Sequence, residues 1–291
     1  MQQPPITENL SPYIRLAWNH TTNSPWEMAE RVIFDFELLY VKSGEIEVTI
    51  KDEQYKGQPG DIFYFRPGWR HSIRKVGTNT FSQPHIHFDF FQDCDSGNVK
   101  ISFLPLNKIS SNEHKLFRKD ITDDFYPDFP SHIRLQNPKI IEQMILDIID
   151  EFDAKLMYHQ TLLKGMFIQL WVQLLREVSL IDNHIPHSNF EKFHQIKRYI
   201  DAHISQDLHL EEIANAFYLN KYYLSHMFRL IFGIAPIGYH RMQRIGHAKK
   251  LIQFSKLSVT EVAAQLGYSN VHSFSRAFKA HEGVSPTFYR R

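Results

Sequence analysis

The last hundred residues repeat themselves. Shifted by 50 positions, Asn220 meets Asn270, Ser225 meets Ser275, Phe228 meets Phe278, Gly233 meets Gly283, Pro236 meets Pro286, Tyr239 meets Tyr289 and Arg241 meets Arg291. Similar pairs lie between them: Leu224 with Phe274, Arg229 with Lys279, Ile234 with Val284. Upstream the offset is 49, as in Glu212 with Glu261 and Ala214 with Ala263, so one residue is gained in the intervening turn. A repeat of this length marks a duplicated supersecondary unit. Each unit reads as helix, tight turn, helix. In the second, Ser258-Val259-Thr260-Glu261 is a capping box, Val262, Ala263 and Leu266 form an apolar face, Gly267 supplies the turn, and Asn270 caps the next helix. That helix buries Phe274, Ala277 and Phe278 and ends at Gly283. In the first unit, Leu210, Ile213, Ala214 and Phe217 make one face, and Leu224, Met227, Phe228 and Ile231 the other. Ile237, Arg241, Ile245, Ala248 and Ile252 keep helical spacing between the units and predict a connecting helix.

This is the layout of a helix-turn-helix, whose second helix enters the DNA major groove. Charge agrees. The whole chain is formally +1, yet from Glu191 onward 14 lysines and arginines face 7 acidic residues. A basic end on a near-neutral chain is an electrostatic footprint for a polyanion. On the first reading helix, Tyr222, Ser225 and His226 lie opposite the core; on the second, His272, Ser275 and Arg276 do. Arg276 is the candidate for a bidentate contact with guanine. Lys221, Arg229 and Lys279 are expected on phosphate, which positions without specifying.

The rest of the chain divides in two. From residue 31 to about 103, short aromatic and β-branched runs alternate with turn residues, as in Glu45–Ile50, Asp61–Phe65 and His85–Phe90. This pattern predicts a sandwich or small barrel. From about Pro138, Ile141, Met144, Ile145, Ile148, Ile149 and Phe152 fall at helical spacing, followed by Leu163, Met166, Phe167, Leu170, Leu174 and Val178. Two antiparallel helices joined near 153–158 are expected, either covering the β region or, as the breadth of their faces favours, forming a subunit interface. The expected divisions are a barrel over 1–136, a helical pair over 137–182, a linker over 183–190 and a DNA-binding domain over 191–291. The fold class is α+β. The single cysteine, Cys94, excludes a disulfide framework and multi-cysteine metal sites. With no membrane-length apolar run and no secretory signal at the N-terminus, a cytoplasmic setting is expected.

The chain resembles the AraC-type bacterial transcription regulators over essentially its whole length. The most specific part is Ala263-Ala264-Gln265-Leu266-Gly267-Tyr268-Ser269, continuing through Phe274-Ser275-Arg276-Ala277-Phe278-Lys279 to Gly283-Val284-Ser285-Pro286-Thr287-Phe288-Tyr289-Arg290. The resemblance implies two helix-turn-helix units joined by a long helix, binding double-stranded promoter DNA and usually activating transcription. It also implies a cupin-like barrel sensing a small molecule, often a sugar, and a helical pair that makes a homodimer; RNA polymerase is a further candidate partner. Where other members carry arginine on the first reading helix, this chain has His226, a weaker or pH-sensitive contact.

Cupin metal chemistry is not expected. The first cupin motif, HxH followed by glutamate and glycine, finds Glu37 and Gly44, but the histidine places fall on Arg31 and Ile33. The second survives in part, as Gly60-Asp61, Pro67 and His71, with the proline-to-histidine spacing one residue short. His85 and His87 share a strand face, but their convergence with the others does not follow from sequence. No cofactor or metal is therefore assigned. A pocket is expected instead, with Trp69 stacking on a sugar ring, Glu37, His71 and His87 bonding hydroxyls, and Arg31 holding an acidic effector. A surface Arg31 paired with Asp35 or Glu30 is the alternative. For the whole chain the expectation is a regulator of a carbohydrate-use operon and not an enzyme. The alternative is a cupin-type isomerase or dioxygenase with an accessory DNA-binding tail.

Overall fold

A computed structural model describes residues 9–183 and 187–290. It divides at 184/185 into two compact units.

The N-terminal unit is built on β1 (Tyr13–Thr22), β2 (Glu27–Arg31), β3 (Phe36–Tyr40), β4 (Glu45–Ile50), β5 (Glu53–Gly57), β6 (Asp61–Phe65), β7 (His71–Val76), β8 (Phe81–Asp89) and β9 (His132–Arg134). One sheet runs β1-β8-β3-β6-β9 and the other β2-β7-β4-β5. All named pairings are antiparallel. The unit is a cupin-like β-sandwich, and it starts earlier than position 31. β1 pairs along the whole of β8, with a register shift between Ile14 and Leu16.

Helices α2 (Pro138–Ala154) and α3 (His159–Asp182) pack on the first sheet; a single turn, α1 (Thr122–Phe125), precedes them. This explains why β3, β6 and β8 are buried at every residue. Phe36, Leu38, Tyr40, Ile62, Tyr64, Ile86 and Phe88 join the helices in one core. Their strand neighbours Leu39, Phe63 and Phe65 join Ile46, Val48, Ile50 and Ile73 of the second sheet in another. A strand buried on both faces loses polar alternation, which is how Phe36-Glu37-Leu38-Leu39-Tyr40 reads.

The apolar faces of the helical pair are thereby used within the chain. Ile141, Ile145, Ile148, Ile149, Leu163, Phe167, Leu170, Leu174 and Val178 are buried, with Met144, Phe152 and Met166 packed at the edge. The breadth that favoured a subunit interface comes from covering a sheet. The pair turns through Lys155 and Tyr158, both in the left-handed region.

The C-terminal unit holds α4 (His187–Ala202), α5 (Leu210–Ala216), α6 (Lys221–Phe232), α7 (Pro236–Phe254), α8 (Val259–Gln265) and α9 (Val271–Glu282). The expected linker over 183–190 is shorter than read. Residues 184–186 lie outside the described residues, and from His187 the chain is already helical. Among the described residues no helix is long and apolar enough to cross a membrane.

Candidate nucleic-acid interface and barrel site

The two helix-turn-helix units, α5–α6 and α8–α9, are built from the same local signals. Asn220 caps α6 by accepting from the Tyr222 N–H at 2.8 Å, and Asn270 caps α9 by accepting from Ser273 N–H at 2.8 Å. Ser258 and Glu261 close the capping box of α8. Gly233 and Gly283 end α6 and α9 at φ 75° and 76°. The equivalent turn residues are Tyr218 and Gly267, at φ 53° and 70°. Leu219 and Tyr268 then bond back to Ala214 and Ala263. The extra residue of the second unit is therefore Ser269.

Leu224, Met227 and Phe228 point α6 into its core, and Phe274 and Phe278 do the same for α9. The opposite stripe carries Tyr222, Ser225, His226 and Arg229 on one helix and His272, Ser275, Arg276 and Lys279 on the other. All are exposed except Ser225 and Ser275, which are half-buried. Their spacing of three, one and three residues puts each set on a single face. Lys221 differs: its Nζ sits 2.8 Å from Glu211 of α5, so phosphate must displace that partner.

Arg244 of α7 ties the two units together. It is buried, pairs with Asp207 at 3.1 Å, donates to the Leu266 carbonyl at the end of α8, and lies 4.1 Å from the Tyr268 ring. The connecting helix thus reaches the loop ahead of α5 and the turn of the second unit at once.

In the barrel, the strand register assembles the polar residues. Glu37 of β3 stands opposite His87 of β8, and Arg31 of β2 opposite His71 of β7. Arg31 is 1% exposed. It donates from Nη2 to Glu37 Oε2 at 2.7 Å and from Nε to His71 Nε2 at 3.0 Å. The surface alternative, a pairing with Asp35 or Glu30, is overturned. A buried guanidinium needs a buried countercharge, and only Glu37 of the three lies within its reach. Ser102 and Phe103, from the segment after β8, lie over the same guanidinium.

Of the five expected effector residues, Arg31, Glu37, His71 and His87 converge. Trp69 joins them through its backbone carbonyl, which accepts from His71 Nδ1–H at 3.0 Å. Its ring is engaged by cations, with Lys51 Nζ 3.2 Å and the Arg66 guanidinium 4.7 Å from the centroid. A sugar ring stacking on Trp69 has to compete with these cation–π contacts. None of the five lines either described cleft: about 450 Å³ outside the helical pair, near Ile140 and Val172, or about 290 Å³ near Phe36 and Arg118.

Sequence reasoning missed the groups that hold this cluster. Asp35 accepts from His87 Nδ1–H at 3.2 Å and from Arg15 at 2.8 Å. Arg15 also grips Asp89, and Arg118 bridges Asp89 and Asp95. These pairs join residues 20 to 74 positions apart, and no local pattern announces them.

Burial by itself pushes the Glu37 carboxyl up; His87, Arg31, His85 and His71 around it reverse that and hold it at about 2. Burial, then the Arg31 charge, pushes His71 down to about 4. Between pH 6.5 and 4 the unfolded chain therefore binds a proton on His71 that the folded chain refuses. Stability is expected to fall by about 3 kcal/mol as pH drops through that window. Glu37 adds a further loss below 4.5, as pH falls toward 2. Burial also pushes His85 down, so urea unfolding at stepped pH should show a smaller upper limb in His71→Gln than in the parent; an unchanged limb would locate the proton elsewhere.

A paired helix-turn-helix on a cupin-like chain defines the class: a DNA-binding transcription regulator with a sensor-type barrel. A helix-turn-helix domain matches residues 213–291 and a cupin domain residues 34–82. The HTH-type transcriptional regulator YdiP of Escherichia coli (strain K12) is 32% identical over 270 residues, covering 91% of this chain and 82% of that protein. YisR of Bacillus subtilis (strain 168), also an HTH-type transcriptional regulator, is 24% identical over 264 residues, or 90% and 88% of the two chains. The arabinose operon regulatory protein of Salmonella typhimurium is 25% identical over 250 residues, or 85% and 80%. The chain belongs to the AraC-type family of helix-turn-helix transcription regulators.

Proposed function

We propose that this protein controls a carbohydrate-use operon. In this reading it binds promoter DNA through α6 and α9 and responds to a small hydroxylated molecule, a sugar or sugar derivative. The observation that carries the DNA reading is the equivalence of the two exposed stripes, Tyr222, Ser225, His226 and Arg229 against His272, Ser275, Arg276 and Lys279. Arg276 reads guanine; Tyr222, Ser225, His226, His272 and Ser275 contact neighbouring base edges; Lys221, Arg229 and Lys279 hold phosphate. Unlike residues at equivalent places, His226 against Arg276, give unlike half-sites.

The effector reading is supported by the convergence of Glu37, His71, His87 and Arg31. A neutral ligand fits better than an acid, because Arg31 already carries a carboxylate. The sugar class is supported by the arabinose operon relative. In the same reading a second copy of the chain docks on the outer groove of α2 and α3, supported by the cleft that Ile140, Met144, Ile168 and Val172 line together with Gln169, Gln173 and Arg176. The promoter-bound dimer then presents itself to RNA polymerase.

Selection of genomic fragments with and without a panel of sugars tests the whole reading. One shared motif ahead of a transport or catabolic operon is the expected result; no enrichment under any condition overturns it. On the selected site, Arg276→Ala is expected to cost about 1–3 kcal/mol, roughly 5- to 150-fold in affinity. Its binding to unrelated DNA should change little. Lys279→Ala should instead weaken all sequences alike and lower the salt slope by about one.

A further inference from the structure

We propose that the barrel holds one divalent transition-metal ion on Glu37, His85 and His87. This donor set differs from the cupin motif, whose histidine places are taken here by the buried Arg31 and Ile33. The inference rests on the barrel alone and stands whether or not an organic effector binds.

The argument begins with the sheet. β3 and β8 turn Glu37, His85 and His87 to the interior face, where Leu39 of β3 stands opposite His85 and Arg31 reaches Glu37. All three are buried, and one donor atom from each lies within 4.8 Å of the other two. Arg31 and Asp35 offset part of the desolvation cost of this cluster through Glu37 and His87.

The hydrogen bonds fix which atoms face that space. His87 Nδ1 meets the Asp35 carboxylate at 3.2 Å, and His85 Nδ1 meets the Gln83 carbonyl at 3.2 Å. Both partners are acceptors, so both Nδ1 atoms carry the proton. In the neutral rings each Nε2 then presents a lone pair. His87 Nε2 lies 3.5 Å from Glu37 Oε2, the oxygen that also accepts from Arg31. A proton on that Nε2 or a metal cation can bridge the gap. Donors about 2.0–2.2 Å from a tetrahedral ion stand about 3.4 Å apart, close to this spacing.

Beyond the donors, metal-bound histidines characteristically donate the other ring N–H to a carboxylate or a backbone carbonyl. Here one ring has each kind. Two imidazoles and a carboxylate suit zinc, cobalt or nickel, with at least one position left for solvent or ligand. Arg31 shares Glu37 and offsets part of its charge, so the affinity is lower than for a carboxylate of its own.

Cobalt(II) is the probe, because its visible bands report low coordination by nitrogen and oxygen. The full chain, freed of metal with a chelator, is expected to take up one equivalent of cobalt(II). His85→Gln and His87→Gln, checked for folding by circular dichroism, should each weaken that uptake at least about tenfold. A further readout leaves all donors in place. Trp18 is 50% exposed, and its ring lies 5.8 Å from that of His85. Cobalt(II) should therefore quench Trp18, and Trp18→Phe should remove most of the quenching while leaving uptake intact. Absence of visible bands in the parent overturns the proposal. So does full uptake in a folded His85→Gln or His87→Gln chain, or undiminished quenching in Trp18→Phe.

Discussion

Glu37→Ala is expected to cost the N-terminal unit about 3–5 kcal/mol at neutral pH. The carboxylate neutralises Arg31, and both side chains are almost wholly buried. Without it the guanidinium keeps only His71 Nε2 and the Ser102 carbonyl, and neither carries charge at pH 7. An unpaired buried charge is what makes such truncations expensive, more than the worth of the ion pair itself. The replacement of both partners, Arg31→Met with Glu37→Leu, should therefore recover most of the loss. All four tryptophans, Trp18, Trp26, Trp69 and Trp171, lie in this unit, so their fluorescence in a urea titration follows it separately from the DNA-binding helices. A loss below about 1 kcal/mol would mean that water reaches the guanidinium.

Gly267→Ala is expected to do comparable damage to the C-terminal unit. The residue sits at φ 70°, and a Cβ there would lie 2.5 Å from the Ser205 carbonyl oxygen. The left-handed conformation costs about 1–2 kcal/mol for an L-residue, and displacing a packed backbone adds about 1–3 more. Helical circular dichroism should register about 2–4 kcal/mol. The functional consequence is larger for a bipartite DNA site than for an isolated half-site. The contact with Ser205, like the Arg244 bond to Leu266, helps hold the second reader in place relative to the first. Tyr218 is the internal control. It occupies the equivalent turn at φ 53° and is 96% exposed, with no such contact to lose. Tyr218→Gly should stabilise the unit by up to about 1 kcal/mol. Equal affinity losses on bipartite and half sites would show that the turn does not set the spacing of the readers.

The DNA-binding half was legible because its signals are local. Caps, turn glycines and a 3.6-residue period act within a few positions of themselves, and duplication printed each signal twice. Ser258 with Glu261, Asn270 and Gly283 all occupy the structural places their chemistry implies. The barrel was legible only in outline. The strands Glu45–Ile50 and Asp61–Phe65 stand where alternation and turns put them. β1 went unread although its partner β8 was seen, because strand pairing across 59 to 76 residues leaves no mark in either segment. The helical pair showed its apolar faces plainly but not their partner, since an apolar face looks the same whether a sheet or another subunit covers it.

The sequence by itself determined that two equivalent helix-turn-helix units follow a β region and a helical pair. Each of those statements rests on interactions between near neighbours in the chain. The tertiary structure decided what the ionisable residues do. Arg31, Glu37, His71, His85 and His87 are polar letters in an apolar run, and their meaning depends on register between strands that are distant in sequence. That register places Glu37 opposite His87 and Arg31 opposite His71, closing one buried network. Folding also chose between two partners for the α2–α3 faces, because burying them on the first sheet removes apolar surface from water within a single chain.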